Sequence, residues 1–184
     1  MVIRHSNAYG RLTEGRLRLF EAGLGGRLPE DYRRSMLEHN GGQPKPNYFA
    51  YLHSGIESGS TLECLYAIHD RPYVDTYEGR LGESVQRAWS QHLEPDEQAL
   101  MIPIGRDPYG NLVRLFYAVP DRGAVCIVDH EDPVGYFRIA ESFTEFLDAL
   151  HEDPDPQEPN YGECPECQAN LKRWGCPECG WLMT

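Results

Sequence analysis

Two Cys-Pro-Glu-Cys sequences close to the C-terminus place the strongest constraint on this chain. The first contains Cys164 and Cys167, and the second contains Cys176 and Cys179. Two residues between the cysteines of a pair allow a tight turn that directs both sulfurs toward one ion, and two such turns complete the tetrahedral site that Zn²⁺ prefers. The spacing therefore predicts a structural zinc ribbon over residues 163–184. Since all four ligands would come from the protein, no position on the zinc would remain for water or substrate.

Disulfides or a dithiol redox pair are the alternative role for these cysteines. The chain starts without the apolar run of a secretory signal, so we expect a cytoplasmic protein, and structural disulfides are uncommon in that reducing compartment. A segment this short also buries too little apolar surface to fold by itself, whereas zinc supplies roughly 10–16 kcal/mol in comparable peptides. The other two cysteines, Cys64 and Cys126, lie within apolar runs and are predicted to be core residues.

The length of 184 residues favours one main domain, which we place at residues 1–150, followed by the ribbon as an appendage. Residues 151–162 contain three prolines and four acidic residues, a composition typical of a linker. No apolar stretch approaches the roughly 18 residues that a membrane-spanning helix requires, so no membrane insertion is predicted.

Acidic residues outnumber basic ones in both parts of the chain, giving a net charge of −12. Residues 1–150 hold 22 acidic and 15 basic residues, and residues 151–184 hold seven and two. This surplus argues against binding of a nucleic-acid backbone, which requires clustered lysine and arginine. It favours encounter with a basic protein partner, although acidity for solubility alone would give the same composition.

Helical spacing of apolar residues predicts four helices. The first covers residues 13–24, and the second opens at Pro29 and closes in a left-handed cap at residues 40–42. A third covers residues 81–93, and the last begins with a capping box formed by Ser142 and Glu145. The residues expected along the faces of these helices are Leu17, Phe20, Leu24, Tyr32, Met36, Val85, Ala88, Trp89, His92, Phe143, Phe146, Leu147 and Leu150.

The strands are predicted from apolar runs and the turns between them. Two extended segments are expected early in the chain, separated by a Ser/Gly loop at residues 53–60. Three later runs have short, turn-rich connections, which favour an antiparallel meander because parallel crossovers need about a dozen residues or more. The extended segments are expected at residues 47–52, 62–68, 100–104, 112–119, 124–129 and 136–139. The fold class that follows is α+β, with an antiparallel sheet covered by segregated helices.

Three groups of residues resemble chemical sites, and each has a plainer interpretation. The acidic and histidine cluster at residues 129–132 suggests catalysis or metal binding, but adjacent strand residues point to opposite faces. Cys126 paired with a distant histidine would be a nucleophile, yet core packing explains it better. Residues 105–110 resemble a phosphate-binding loop but lack the Gly-Lys-Ser/Thr ending, so a hairpin turn is favoured. We therefore predict no catalytic residue.

Several segments, taken in order, resemble the Smi/Knr branch of the SUKH superfamily. The similarity covers roughly residues 12–150, and residues 48–93 match only in a general strand-then-helix pattern. The ribbon lies outside the family's usual core. The segments that carry the resemblance are residues 20–32, Leu37, Asn40, Gly41, Gly42, residues 102–107, Gly110, Asn111, residues 123–125, 129–131 and 139–147.

The resemblance implies a binding module without catalytic residues. Bacterial relatives are commonly immunity proteins that neutralise a toxin, and fungal relatives act as regulatory interaction hubs. We therefore expect a protein partner, with a toxin domain occluded by this chain as the leading hypothesis. A regulatory scaffold whose ribbon docks a partner is the alternative, and a zinc-dependent enzyme is a weaker one. The matched glycines Gly41, Gly42, Gly105, Gly110 and Gly123 are expected in turns with positive φ.

Overall fold

A computed structural model of the chain describes residues 1–70, 84–129 and 135–154. The chain divides after Glu152, and the first unit, Met1–Glu152, carries every helix and strand described here. The four cysteines of the predicted zinc ribbon lie outside the described residues. So do residues 155–162 of the predicted linker and residues 130–132 of the acidic and histidine cluster.

Nine strands and five helices occur within the described residues. In chain order they are β1 (Val2–Arg4), α1 (Glu14–Leu24), α2 (Glu30–Glu38), β2 (Gln43–Lys45), β3 (Tyr48–His53), β4 (Ile56–Thr61), β5 (Cys64–Leu65), α3 (Val85–His92), α4 (Pro95–Gln98), β6 (Met101–Arg106), β7 (Leu112–Phe116), β8 (Val125–Val128), β9 (Tyr136–Ala140) and α5 (Phe143–Ala149). No helix in this described part of the chain is long and apolar enough to cross a bilayer.

The central sheet has five antiparallel strands in the order β5-β6-β7-β8-β9. The predicted meander is thereby confirmed, since β6, β7, β8 and β9 follow one another in both sequence and space. The strands β1 and β2 form a separate antiparallel pair, and β3 pairs with β4. The α+β fold class with antiparallel sheets is therefore confirmed.

The segment at residues 53–60 was expected to be a loop, and that prediction is wrong. Residues Ile56–Thr61 form β4, which pairs with β3 from Tyr48↔Thr61 to His53↔Ile56. Only Ser54 and Gly55 connect the strands, with φ of 51° and 81°. A two-residue turn with positive φ at both positions matches the right-handed twist of a hairpin. The small polar residues that resembled a loop are therefore strand residues.

The helix α1 matches its prediction closely. Thr13 accepts a hydrogen bond from the Arg16 amide through its side chain at 3.3 Å, and Gly25 ends the helix with φ of 70°. Leu17 is fully buried, while Phe20 and Leu24 are half-buried against the core. Such a cap supplies an acceptor to the amides at the start of a helix, which have no partner within the helix.

The end of α2 differs from the expected left-handed cap. The helix begins after Pro29 and ends at Glu38, followed by His39 with φ of −132°. The side chain of Asn40 instead binds other loops, donating to the Gly10 carbonyl at 3.0 Å and accepting from the Ile68 amide at 2.8 Å. Asn40 therefore ties two separate segments together rather than closing the helix.

Gly105 has a different role from the turn predicted for it. It lies in β6 where the pairing with β7 shifts register, and it is not a positive-φ position. A Cβ at Gly105 would come within 2.4 Å of the Cys64 carbonyl oxygen. The residue must therefore be glycine because β5 approaches it closely.

The two faces of the central sheet pack differently. One face contributes Ile102, Ile104, Val113, Leu115 and Ile127 to the main core, which includes residues of α1, α2 and α5. The opposite face carries a smaller cluster that comprises Leu93, Met101, Phe116, Ala124 and Cys126. Cys64 and Cys126 are buried, as expected of core residues. The smaller cluster leaves part of this second face free to carry polar side chains.

The last helix confirms half of the predicted capping box. The Ser142 hydroxyl accepts from the Glu145 amide at 3.0 Å. The Glu145 carboxylate accepts from the Glu141 amide at 3.0 Å, one residue before the expected position. Phe143 and Phe146 are buried as predicted, so α5 packs its apolar side against the main core.

Candidate protein-binding surface

A buried ion network joins α1 to α2. The Arg33 guanidinium binds the carboxylates of Glu21 and Glu14, and the exposed fractions of the Arg33 and Glu21 side chains are only 4% and 8%. Glu21 also accepts a hydrogen bond from the Leu28 amide at 2.8 Å. The hydrogen bond with Glu21 raises the pKa of Arg33, against the lowering effect of burial. These contacts keep the side of α1 that carries Glu21 in the protein interior.

The opposite side of α1 faces outward because of helical geometry. Each residue turns the helix by about 100°, so Leu19 and Gly23, two residues either side of Glu21, lie about 200° from it. The exposed fraction of Leu19 is 75%, and Gly23 is exposed. The exposed Leu19 side chain and Gly23, which has no side chain, together form an apolar stripe along this side of α1.

This stripe forms one wall of a groove between α1 and α3, here named the helix groove. The groove encloses about 440 Å³. Its lining residues are Arg16, Leu19, Phe20, Gly23, Leu24, Ile68, Asp70, Gln86, Trp89 and Ser90. Leu19, Phe20, Leu24, Ile68 and Trp89 supply apolar surface, whereas Arg16, Asp70, Gln86 and Ser90 are polar.

Hydrogen bonds fix the α3 side of the helix groove. The Trp89 indole donates to the Gln98 carbonyl at 3.3 Å, and the Gln98 side chain donates back to the Trp89 carbonyl at 3.2 Å. The same Gln98 amide donates to the Leu93 carbonyl at 2.8 Å. Because these bonds link α3 to α4, they hold the half-buried Trp89 ring in place.

An ion pair borders the helix groove. Arg16 lies 2.6 Å from Asp70, and the exposed fractions of their side chains are 47% and 83%. A polar rim around an apolar centre is the usual arrangement of protein interfaces, where aromatic residues are enriched. The groove therefore has the composition of a surface that binds another protein.

The residues that resembled catalytic sites are not brought together within the described residues. Cys126 is 1% exposed, and burial raises the pKa of its thiol to about 12, which suppresses the thiolate that a nucleophile needs. Among residues 1–70, 84–129 and 135–154, no group of three histidine, cysteine or acidic side chains has the geometry of a metal site. Asp129 is half-buried, and its neighbours His130, Glu131 and Asp132 lie outside those ranges.

The segment at residues 105–110 is part of a hairpin turn, as predicted. The buried Asp107 carboxylate accepts hydrogen bonds from the amides of Tyr109 and Asn111, each at 2.9 Å. It also accepts from the Ser60 hydroxyl at 2.9 Å. Asp107 therefore uses its oxygens to hold the turn and β4 together.

The burial of Glu21 and the exposure of Leu19 and Gly23 beside a groove were not predicted from the sequence. A signal was present, since Glu21 shares helical spacing with the apolar Leu17 and Leu24, which identifies a charge on a buried face. Leu19 lies outside the buried face formed by Leu17, Glu21 and Leu24. A single exposed leucine is common on protein surfaces, and it indicates an apolar patch only when other apolar residues lie beside it. The neighbour here is α3, whose position depends on the tertiary fold.

The fold is that of a small α+β module with an apolar groove on its surface. Comparison with protein families matches residues 11–149 to the SMI1 / KNR4 family (SUKH-1). The chain therefore belongs to the SMI1/KNR4 (SUKH-1) family, whose members commonly act as protein-binding modules of the immunity type and are generally non-catalytic. Comparison with curated proteins found none that matches this sequence.

Proposed function

We propose that this protein is a bacterial immunity protein that binds a toxin domain and neutralises it by covering its active site. The observation that carries the proposal is the family domain over residues 11–149, which includes α1 and α3 and hence the helix groove. No bond needs to form or break in this protein for such a function. Burial of complementary surface is sufficient.

The helix groove supports the proposal through its rigidity and composition. Trp89 and Phe20 supply aromatic surface, and aromatic residues are frequent among those that dominate binding energy. Since hydrogen bonds already hold α3 and its Trp89, little ordering is needed when a partner binds. An apolar side chain or the apolar face of a helix from the toxin would fill the groove.

Charge supports a basic partner. Residues 1–150 carry 22 acidic and 15 basic residues, so a basic toxin domain such as a nuclease would be attracted over several ångströms. We place the protein in the cytoplasm, where such a toxin would act. The negative field raises the association rate, while the groove supplies the short-range contacts.

The predicted zinc ribbon gives the second candidate function, a regulatory scaffold. We propose that Cys164, Cys167, Cys176 and Cys179 bind one structural Zn²⁺ and that the metal stabilises the residues around it. In the immunity function the ribbon is an appendage, and binding depends on residues 1–150. In the scaffold function the ribbon itself docks the partner.

Co-expression with the products of neighbouring genes tests the two functions. We expect the chain to restore growth of cells that express the toxin domain encoded beside it and to be purified with that domain. A Cys164→Ser/Cys176→Ser variant should retain both effects, whereas Gly23→Gln, which places a side chain in the helix groove, should lose them. Failure to capture or inhibit any neighbouring effector would contradict the immunity function. If the chain is purified with a partner that is not a toxin, and only the Cys164→Ser/Cys176→Ser variant loses that partner, the scaffold function is favoured.

A further inference from the structure

The second face of the central sheet carries a cavity that shares no lining residue with the helix groove. It encloses about 350 Å³, near the lower end of the range for small-ligand pockets. We name it the arginine cavity. Its lining residues are Tyr66, His92, Arg106, Gly110, Leu112, Arg114 and Val128. His92 and Gly110 are exposed, so the cavity opens to solvent beside them.

Strand register explains why two arginines share this cavity. Arg106 lies opposite Leu112 in the β6–β7 pair, and Leu112 lies opposite Val128 in the β7–β8 pair. Arg114 follows Leu112 by two residues along β7, which places it on the same face of the sheet. The side chains of Arg106 and Arg114 therefore project from the same face of the sheet, one of them from β6 and the other from β7.

Each guanidinium is held by a carboxylate that does not line the cavity. Arg106 Nε lies 2.8 Å from Glu63, and Arg114 Nη1 lies 2.5 Å from Glu97. Burial lowers the pKa of Arg106, but the interactions with Glu63, Tyr66 and Cys64 together outweigh it and give a net rise. Arginine side chains stay charged in proteins, and these two carboxylates fix the positions of both guanidiniums before a ligand enters.

Arg114 retains a donor that the described residues do not satisfy. The residue is 5% exposed, and its Nε is buried without a hydrogen-bond partner. Leaving a buried donor without a partner destabilises a protein by about 1–3 kcal/mol, and more for a charged group. Because Nε itself is buried, an anion in the cavity would stabilise this guanidinium through its charge rather than through a hydrogen bond to Nε.

The lining favours one class of anion. A carboxylate is planar and matches an edge of the guanidinium, whereas Leu112, Val128 and the ring of Tyr66 form apolar walls. We propose that the arginine cavity binds a small organic acid, with its carboxylate between Arg106 and Arg114 and its apolar part against those walls. This site would make the protein responsive to a metabolite in addition to its macromolecular partner.

Calorimetric titration of the full chain with benzoate tests this assignment. Benzoate should bind with saturation, and the neutral benzamide should bind at least about tenfold more weakly. The resonance of the Arg114 Nε–H group in NMR spectra should move on addition of benzoate and stay in place with benzamide. Absence of saturation by about 10 mM benzoate, or equal binding of benzamide, would overturn the proposal, as would stronger binding of inorganic phosphate than of benzoate.

Matched variants locate the binding. Arg106→Met should weaken benzoate binding about tenfold or more. Arg138→Met is the control. Arg138 lies opposite Cys126 in the β8–β9 pair and on the same face of the sheet, but it does not line the cavity. It should change the affinity by less than about twofold. Val128→Phe keeps both arginines and fills the cavity, so it should also abolish binding. Equal affinities of the Arg106→Met and Arg138→Met variants, or full binding by Val128→Phe, would contradict the site.

Discussion

The guanidinium of Arg33 binds the carboxylate of Glu21, and this buried ion pair joins α2 to the inner side of α1. The pair determines which side of α1 is left for the helix groove. Replacing Arg33 by Met would leave the Glu21 carboxylate buried without its charge partner. We expect Arg33→Met to lower the free energy of unfolding by about 3–5 kcal/mol, measured by urea denaturation.

A surface ion pair within α1 provides the control for Arg33. Arg18 lies 3.0 Å from Glu14, and the exposed fraction of the Arg18 side chain is 73%. Arg18→Met should lower the free energy of unfolding by less than about 1 kcal/mol, because solvent screens exposed pairs. Equal effects of the two substitutions would show that the Arg33–Glu21 pair does not join the helices.

Two glycine substitutions should have opposite effects on stability. Gly55 has φ of 81° in the β3–β4 turn, and Gly15 lies in α1 with no positive φ. A Cβ at either position meets no atom within 4 Å, so only backbone preference differs. Gly55→Ala should destabilise by about 1–2 kcal/mol, and Gly15→Ala should stabilise by roughly 0.5–1 kcal/mol. Thermal unfolding of both variants measures the contrast, and stabilisation by Gly55→Ala would contradict the turn.

The buried thiol of Cys126 should make stability depend on alkaline pH. Its pKa is raised to about 12 by burial, whereas an unfolded chain loses that proton near pH ~8.5. Above this pH the unfolded state binds fewer protons than the folded state, so the free energy of unfolding falls as pH rises. This contribution is complete below pH ~8.5 and declines toward pH ~12, by up to about 1.4 kcal/mol per pH unit.

Urea denaturation of Cys126→Ala at pH ~9 and pH ~10 measures that contribution. In this variant the free energy of unfolding should fall less steeply between these two pH values, because the contribution of Cys126 is absent. Ile127→Val, which shrinks a neighbouring core residue without removing a titrating group, should lower stability and keep the slope. An unchanged slope in Cys126→Ala would contradict the assignment, and so would alkylation of Cys126 in the folded protein at neutral pH.

Zinc content tests the proposed ribbon. The purified chain should contain one zinc ion, because two Cys-x-x-Cys pairs complete one tetrahedral site. Cys164→Ser and Cys176→Ser should each lose the metal, whereas Cys126→Ala should retain it. Elemental analysis with a thiol assay makes the measurement. Zinc that persists in a Cys164→Ser/Cys176→Ser variant, or disulfides between these cysteines, would contradict the proposal.

Local signals in the sequence were sufficient for α1 and for the meander. Thr13 and Gly25 bound a helix whose apolar stripe is independent of its tertiary partners. The connections between β6, β7 and β8 are too short for parallel crossovers, so the antiparallel order of these strands follows from the lengths of the connections alone. Both predictions rest on interactions between residues that are close in sequence.

Features that depend on distant contacts could not be predicted in the same way. The strand β4 contains Ser58, Gly59 and Ser60, which resemble a loop until pairing with β3 supplies their partners. The arginine cavity requires the register that places Arg106 opposite Leu112. The helix groove requires the tertiary fold to place α3 across from α1. In each case the determining contact joins residues that the local sequence does not relate.

The affinity of this protein for its cognate toxin domain, measured by calorimetry on matched glycine variants, tests the central claim most directly. Gly23 lines the helix groove and Gly15 does not, yet both lie in α1 and both have open space where a side chain would start. Gly23→Gln should raise the dissociation constant at least about tenfold, and Gly15→Gln should change it by less than about twofold. Equal dissociation constants for the two variants would show that the toxin does not bind in the helix groove.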